Sequence, residues 1–351
     1  MHIAVFGAGS VGGYVGGMMA KAGLDVTLVD GWSEHIMAIR QHGLRLSGTQ
    51  GDHVVKIDCL HLHDVHLLLR KPIDLAILAV KSYDTAWVTT IIQDYLSPTG
   101  FVLSMQNGMN EETIAKIVGW ERVVGCVLNT IGVELTAPGS ILRWMEPAPK
   151  GYAVFRVGEA HGATTRRAVE AVTALGFVDN ATVTANLWGE RWSKLVNNAT
   201  ASGIGPLTGM SILEMFSDPD MRRLSIAVGQ EGVRVGLASG FNLEKISGIL
   251  PEVWASDTPQ TVASIEEKLV EWQKRIGPEG QASTLHDIRR GRRTEIDSIN
   301  GLIARQAAKI GIGAPLNLAL TEEVKRLERG LISQGRSAVS EILARLKAGL
   351  K

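Results

Sequence analysis

Short apolar runs alternate with helix-period segments along the first half of the chain, and in the second half the short runs stop. His2-Ile3-Ala4-Val5-Phe6 is an apolar strand, and a small-residue helix runs on through Met18, Met19, Ala20 and Ala22. Leu24–Val29 is the next strand and ends at Asp30. Asp74–Val80 and Phe101–Met105 are continuous apolar runs, the pattern of parallel strands covered on both faces. Arg122–Val133 and Tyr152–Val157 add further strands. From Asn186 onward, segments 186–202, 219–239, 259–276, 294–310 and 316–331 carry apolar residues at three- and four-residue spacing, which predicts helices. Pro251, Pro259, Pro278 and Pro315 punctuate them. The expected architecture is an α/β doubly wound sheet over residues 1–185, followed by an all-α unit over 186–351.

The 351-residue length agrees with two units, since single cores stop growing near about 250–300 residues. Lys+Arg and Asp+Glu both number 36, so the charge balance favours neither nucleic acid nor an anionic membrane as partner. The longest apolar stretches are too short to span a bilayer, and the first strand begins at residue 2, so a cytoplasmic location is expected. Cys59 and Cys126 lack CxxC spacing, and Cys126 reads as an inert buried thiol. His61, His63 and His66 share a face in no single geometry, so no metal site is expected.

The strongest chemical signal lies between the first two strands. Gly7-Ala8-Gly9-Ser10-Val11-Gly12 is a GxGxxG turn between strand and helix. Gly7 permits the tight turn, Gly9 lets the backbone approach a pyrophosphate, and Gly12 lets helix and strand pack closely. The helix N-terminus offers N–H groups and a positive dipole end to phosphates. Asp30 stands where a carboxylate would bond the adenosine ribose hydroxyls. Together these predict a Rossmann-type dinucleotide site. In open α/β sheets ligands bind beyond the carboxyl ends of the strands, which brings Lys81 and Asn107 to the same crevice.

The helical half carries a second constellation. On a helix, Lys194, Asn198 and Ser202 form one row of lysine, amide and hydroxyl, suited to a small carboxylate bearing a carbonyl. Lys194 could protonate a developing alkoxide if burial lowered its pKa, although a solvated lysine on an amphipathic helix fits the same spacing. Further on, Ile296, Ile299 and Ile303 form a core stripe, leaving Glu295 and Ser298 on an adjoining helical face. Trp188 and Trp192 are expected to pack between the two units.

These segments resemble the ketopantoate reductase (2-dehydropantoate 2-reductase) family nearly end to end. The landmarks are Gly7–Gly12, Ala79-Val80-Lys81, Gln106-Asn107-Gly108-Met109, Trp192-Ser193-Lys194-Leu195, Ala282-Ser283 and Arg293-Thr294-Glu295-Ile296-Asp297-Ser298-Ile299-Asn300-Gly301. The resemblance implies NAD(P)H-dependent reduction of ketopantoate to (R)-pantoate in pantothenate biosynthesis, with no metal. Lys194 would then be the general acid and Glu295 would help organise the closed site. Asn107 would sit beside the nicotinamide, with Lys81 near the cofactor. Asn198 and Ser283 would contact the substrate, in a cleft between nucleotide and helical domains. A homodimer would form through the helical domain.

Three departures modify that expectation. The family usually grips an NADPH 2′-phosphate with a basic residue just after the second strand. Here Asp30-Gly31-Trp32 stands there, with no arginine before Arg40, which predicts NADH preference unless Asp30 points away and a distant basic residue binds the phosphate. The family's Asn-Pro-Leu-Thr stretch reads Gly205-Pro206-Leu207-Thr208, where Ser202 would substitute for the asparagine. The longer 246–280 region carries Trp254 and Trp272, expected at a dimer interface or the substrate mouth. The alternatives are an NAD-dependent 2-hydroxyacid dehydrogenase for another branched or aromatic 2-oxo acid, and a non-catalytic nucleotide sensor.

Overall fold

A computed structural model describes residues 1–129, 131–276 and 280–348, the side chains of 272–276 excepted. The chain divides into two compact units, Met1–Leu187 and Trp188–Lys351.

The first unit holds twelve strands among the described residues. They are β1 (His2–Phe6), β2 (Asp25–Asp30), β3 (Leu44–Gly48), β4 (His53–Val55), β5 (Asp58–His61), β6 (Ile73–Leu78), β7 (Leu96–Ser104), β8 (Val123–Leu128), β9 (Val133–Ala137), β10 (Ser140–Arg143), β11 (Phe155–Gly158) and β12 (Ala181–Val183). Eight form one sheet in the order β12-β11-β8-β7-β6-β1-β2-β5, parallel except where β11 runs against β8. From β1 the chain winds outward through β2 to β5, then returns to β6 on the other side. The winding reverses between β1 and β6, where Val5 pairs with Ile77. That reversal opens the crevice in which such sheets take their ligands.

Alternation within β1 explains its unbroken apolar sequence. Ile3 and Val5 join one core layer with Leu75, Ile77 and Leu103, while Ala4 and Phe6 join the opposite layer with Ala76, Leu78 and Val102. Both faces are covered over residues 3–6, and all four are apolar; His2 at the strand's start is buried with its ring nitrogens bonded to Pro72 and Thr27.

A second sheet, of order β4-β3-β10-β9, was not legible in the sequence. It accounts for two of the glycines of the first helix, α1 (Ser10–Lys21), Gly13 and Gly17. A Cβ on Gly16 would lie 2.6 Å from Leu28 of the large sheet, whereas one on Gly13 would lie 2.6 Å from Ile141 of the small one. A Cβ on Gly17 would meet Leu44, also of the small sheet, at 2.7 Å. Two sheets therefore press on one helix, and the expected strand over 122–133 is split between them. β8 ends at Leu128 in the large sheet and β9 starts at Val133 in the small one.

In the second unit every described regular element is a helix or a single 3-10 turn, apart from one bridge between Ile246 and Ile249. Two tryptophans are internal to it, which corrects the expected placements. Trp192 is 1% exposed, donates its indole N–H to the Gly232 carbonyl at 2.8 Å and stacks on Phe241. Trp254 is fully buried and donates to the Ile246 carbonyl at 3.1 Å. The helix Pro219–Ala238 admits both rings through Gly229 and Gly236, where a Cβ would meet Trp254 at 2.6 Å and Trp192 at 2.4 Å. Neither ring can serve a partner surface or a substrate mouth; the Trp272 side chain lies outside the described residues.

The predicted helix over 294–310 begins only at Asn300. Residues 294–299 make a turn with one 3-10 segment, Ile296–Ser298, pinned because Thr294 donates its N–H and hydroxyl to Glu328 at 2.7 and 2.6 Å. Ile296, Ile299 and Ile303 are buried as their spacing demands. No helix among the described residues is long and apolar enough to cross a membrane.

Candidate active site

The glycine turn is shaped by backbone contact. Gly7 adopts φ +94°, and a Cβ there would sit 2.8 Å from the backbone of Ala79 and Val80 after β6. A Cβ on Gly12 would lie 2.0 Å from the Gly7 carbonyl oxygen and 2.8 Å from the Ala79 Cβ. Gly9 is different: a Cβ there would find nothing within 4 Å. Its hydrogen faces open space at the start of α1, whose N-terminus has no side-chain cap and no acid in its first turn. The N–H groups of the Ser10–Val11 turn are thus available to an anion. This geometry fits the pyrophosphate of a dinucleotide.

Asp30, at the end of β2, turns toward this loop rather than away. Its carboxylate accepts the Ala8 N–H at 2.7 Å and the Trp32 N–H at 2.8 Å. An ionised carboxylate has about four acceptor positions, so capacity remains for ribose hydroxyls. Arg40, the first arginine after it, is committed to Asp64 at 2.8 Å. The loops after β6 and β7 complete the first unit's crevice. Ser82 donates to the Asn107 carbonyl at 2.9 Å, and Gln106 donates to the Val80 carbonyl at 2.8 Å. Lys81 and Asn107 are carried side by side by these bonds, each partly exposed.

In the second unit, Lys194, Asn198 and Ser202 lie on the helix Leu187–Ser202. Desolvation pushes the Lys194 ammonium from its ordinary 10.5 down to about 8. Lys194 is therefore no ordinary solvated lysine. Thr284 donates to the Ser202 carbonyl at 2.8 Å, drawing up the helix Ser283–Arg289, with Ser283 exposed at its first residue. Asn300 donates to the Ala199 carbonyl at 3.1 Å, which anchors the 294–300 turn on the same helix. Glu295 is 4% exposed in that turn, and not on a helical face as its spacing suggested. Gly205 is buried, and a Cβ on it would lie 3.3 Å from the Ala282 Cβ.

A lysine with a pKa of about 8 gives the first prediction. A lysine acting as a proton donor works only while protonated, so in any reaction where Lys194 gives the proton, kcat should hold below pH 8 and fall about tenfold per pH unit above it. A steady-state profile from pH 6 to 10 checks this, and a plateau extending past pH 10 would remove Lys194 from the role.

Two clusters escaped the sequence. His35, in α2 (Ser33–His42), is 1% exposed. It occupies a core position of an amphipathic helix beside Ile36 and Ile39, and a polar residue in that stripe was the available signal. Glu231 accepts the N–H groups of Leu316 and Asn317, both at 2.9 Å, and Asn317 accepts from Asn300 at 3.0 Å. These partners are far apart in sequence, so no local pattern could reveal them.

Comparison with known proteins decides the family. Residues 3–149 match the family model "Ketopantoate reductase PanE/ApbA", and residues 186–328 match "Ketopantoate reductase PanE/ApbA C terminal". The chain belongs to the ketopantoate reductase family. The 2-dehydropantoate 2-reductase of Pyrococcus horikoshii is 30% identical over 332 residues, covering 93% of this chain and 98% of its own. That of Archaeoglobus fulgidus is 28% identical, covering 94% and 99%. Among solved structures, a PanE/ApbA family ketopantoate reductase from Ralstonia eutropha JMP134 superposes with TM-score 0.77 at 26% identity, covering 94% and 99%. D-mandelate dehydrogenase, solved with NADH and anilino(oxo)acetate, shares the fold at TM-score 0.77 and 24% identity, over 94% of this chain and 99% of its own. As a ketopantoate reductase family member, the chain is an NAD(P)-dependent oxidoreductase acting on a CH–OH group.

Proposed function

We propose that the protein reduces a branched 2-oxo acid, ketopantoate foremost, to the 2-hydroxy acid, with NADH as the preferred reductant and Lys194 as proton donor. The observation that carries this reading is the desolvated Lys194, with a pKa of about 8, on a helix that also bears Asn198 and Ser202 and to which the segments bearing Ser283 and Glu295 are hydrogen-bonded. A general acid is most effective when its pKa lies near the working pH.

Gly7, Ala8, Gly9, Ser10, Val11 and Gly12 would hold the pyrophosphate, Asp30 the adenosine ribose, and Lys81 and Asn107 the nicotinamide end. A dinucleotide held there would supply a hydride to the carbonyl carbon. Lys194 gives its proton to the carbonyl oxygen, so that no free alkoxide accumulates. Asn198 and Ser283 bind the substrate's hydroxyl and carboxylate ends, and Ser202 stands in for the family's missing asparagine. Glu295 orients the lysine and substrate. Asp30 supports NADH because its carboxylate would repel a 2′-phosphate and Arg40 is already paired. The 186–351 region is proposed to carry substrate binding and a homodimer contact.

Gly205 favours a second reading. It leaves the family's asparagine side chain absent at a buried position, so a different branched or an aromatic 2-oxo acid is the alternative substrate. The test is loss of reduced-nicotinamide absorbance with ketopantoate and with an aryl 2-oxo acid, each with NADH and NADPH. The proposal expects NADH with ketopantoate to be fastest. NADPH preference discards the Asp30 argument alone, and a faster aryl substrate selects the alternative. Tight cofactor binding without turnover of any oxo acid would leave a nucleotide sensor.

A further inference from the structure

The imidazole of His35 is enclosed against the cofactor loop, and each of its groups has an assigned partner. The Gly139 N–H donates to Nδ1 at 2.9 Å, which leaves Nε2 as the protonated nitrogen, donating to the Ala8 carbonyl at 2.9 Å. One ring face stacks on Trp32, with centroids 5.4 Å apart and planes 8° from parallel. Burial lowers the His35 pKa, which keeps this neutral tautomer in place.

The two residues that His35 holds are the two that hold Asp30. Ala8 is gripped at both ends, its N–H by Asp30 and its carbonyl by His35. Trp32 likewise gives its N–H to Asp30 and its ring to His35. The carboxylate is thus fixed at both oxygens by groups that a single buried imidazole fixes in turn. We propose that His35 is a positioning residue for cofactor selection, holding Asp30 through Ala8 and Trp32 in the orientation that accepts ribose hydroxyls and repels a 2′-phosphate. His35 touches no cofactor atom in this role. Gly139 lies in the turn between β9 and β10, so the small sheet also takes part in setting the loop.

The inference rests on the Asp30 reading above, and the experiment separates the two. NADH and NADPH dissociation constants, kcat at saturating NADH and Tm are measured for wild type, His35→Ala, His35→Gln, Trp32→Ala, Asp30→Ala and the Asp30→Ala/His35→Ala double variant. His35→Ala should weaken NADH about tenfold, leave kcat unchanged and narrow the NADH-over-NADPH preference. His35→Gln, with one amide donor of similar reach, should recover part of the loss. Because His35 acts through Asp30, the double variant should be little worse than Asp30→Ala alone, the non-additivity expected of coupled residues.

Additive effects, or a lower Tm with dissociation constants and preference unchanged, overturn the proposal. If His35→Ala does not fold, Trp32→Ala carries the test, since it removes the stacking partner and the indole bond to Glu34 while keeping the backbone N–H that Asp30 accepts. An unchanged preference in that variant overturns it equally. A wild type without NADH preference defeats the Asp30 reading by itself, and the coupling is then read from absolute NADH affinity.

Discussion

Lys194→Ala is expected to lower kcat for 2-oxo acid reduction by about a thousandfold while NADH affinity stays within about twofold. The asymmetry follows from where the lysine sits. It lies in the second unit, on the helix Leu187–Ser202, whereas the glycine turn and Asp30 belong to the first. Folding energetics provide a second readout. The drop from 10.5 to about 8 means that the native state holds the ammonium at a cost of roughly 3 kcal/mol relative to the unfolded chain. A lysine with a lowered folded pKa destabilises the native state wherever both states are protonated, below pH 8, and the cost is relieved as pH rises from 8 to 10.5. Lys194→Met keeps the stem and removes the charge, so it should melt higher than wild type at pH 7 and reduce no substrate. Such a trade of stability for function marks a group retained for chemistry. Kinetics and thermal melts of both variants decide it: turnover surviving in Lys194→Met would end the general-acid assignment.

What the sequence revealed and what it concealed divide along a physical line. β1 and β6 were legible because burial on both faces makes residues 3–6 and 75–78 unbroken apolar runs, and the glycine turn because its chemistry is compressed into six residues. The row Lys194, Asn198, Ser202 needed only helical spacing. The small sheet was hidden because its strands are short and partly exposed: β3 alternates buried and open positions, and Val54 of β4 is 64% exposed. The 294–299 turn misled because Ile296, Ile299 and Ile303 keep a helix-like spacing while Glu328, distant in sequence, holds the chain out of the helix. The Lys194 pKa also could not be read, since desolvation depends on packing from elements far along the chain. His35 shows the same limit. Its ring meets Ala8 and Gly139, 27 and 104 residues away.

Two alanine substitutions three residues apart in the glycine turn should fail in opposite ways. Gly12→Ala puts a methyl 2.0 Å from the Gly7 carbonyl oxygen and 2.8 Å from the Ala79 Cβ, so backbone must move at the closest approach of α1 to the sheet. Overpacking of that kind costs about 1–3 kcal/mol when side chains can yield and more when the obstacle is backbone, as here. A marked fall in Tm, or loss of soluble protein, is expected. Gly9→Ala meets no protein atom within 4 Å, and its φ of −62° suits any residue. A glycine replaced at such a position leaves folding unharmed or gains about 0.4–1 kcal/mol through the unfolded state. Its methyl nevertheless occupies the space through which a pyrophosphate reaches the N-terminus of α1, so NADH affinity should fall by about 10- to 100-fold, or roughly 1.4–2.8 kcal/mol. Thermal melts and NADH titrations of the two variants, side by side, separate packing from ligand approach. Wild-type NADH affinity in Gly9→Ala would mean that the pyrophosphate does not lie on this turn. A wild-type Tm in Gly12→Ala would mean that the helix can withdraw from the strand at little cost.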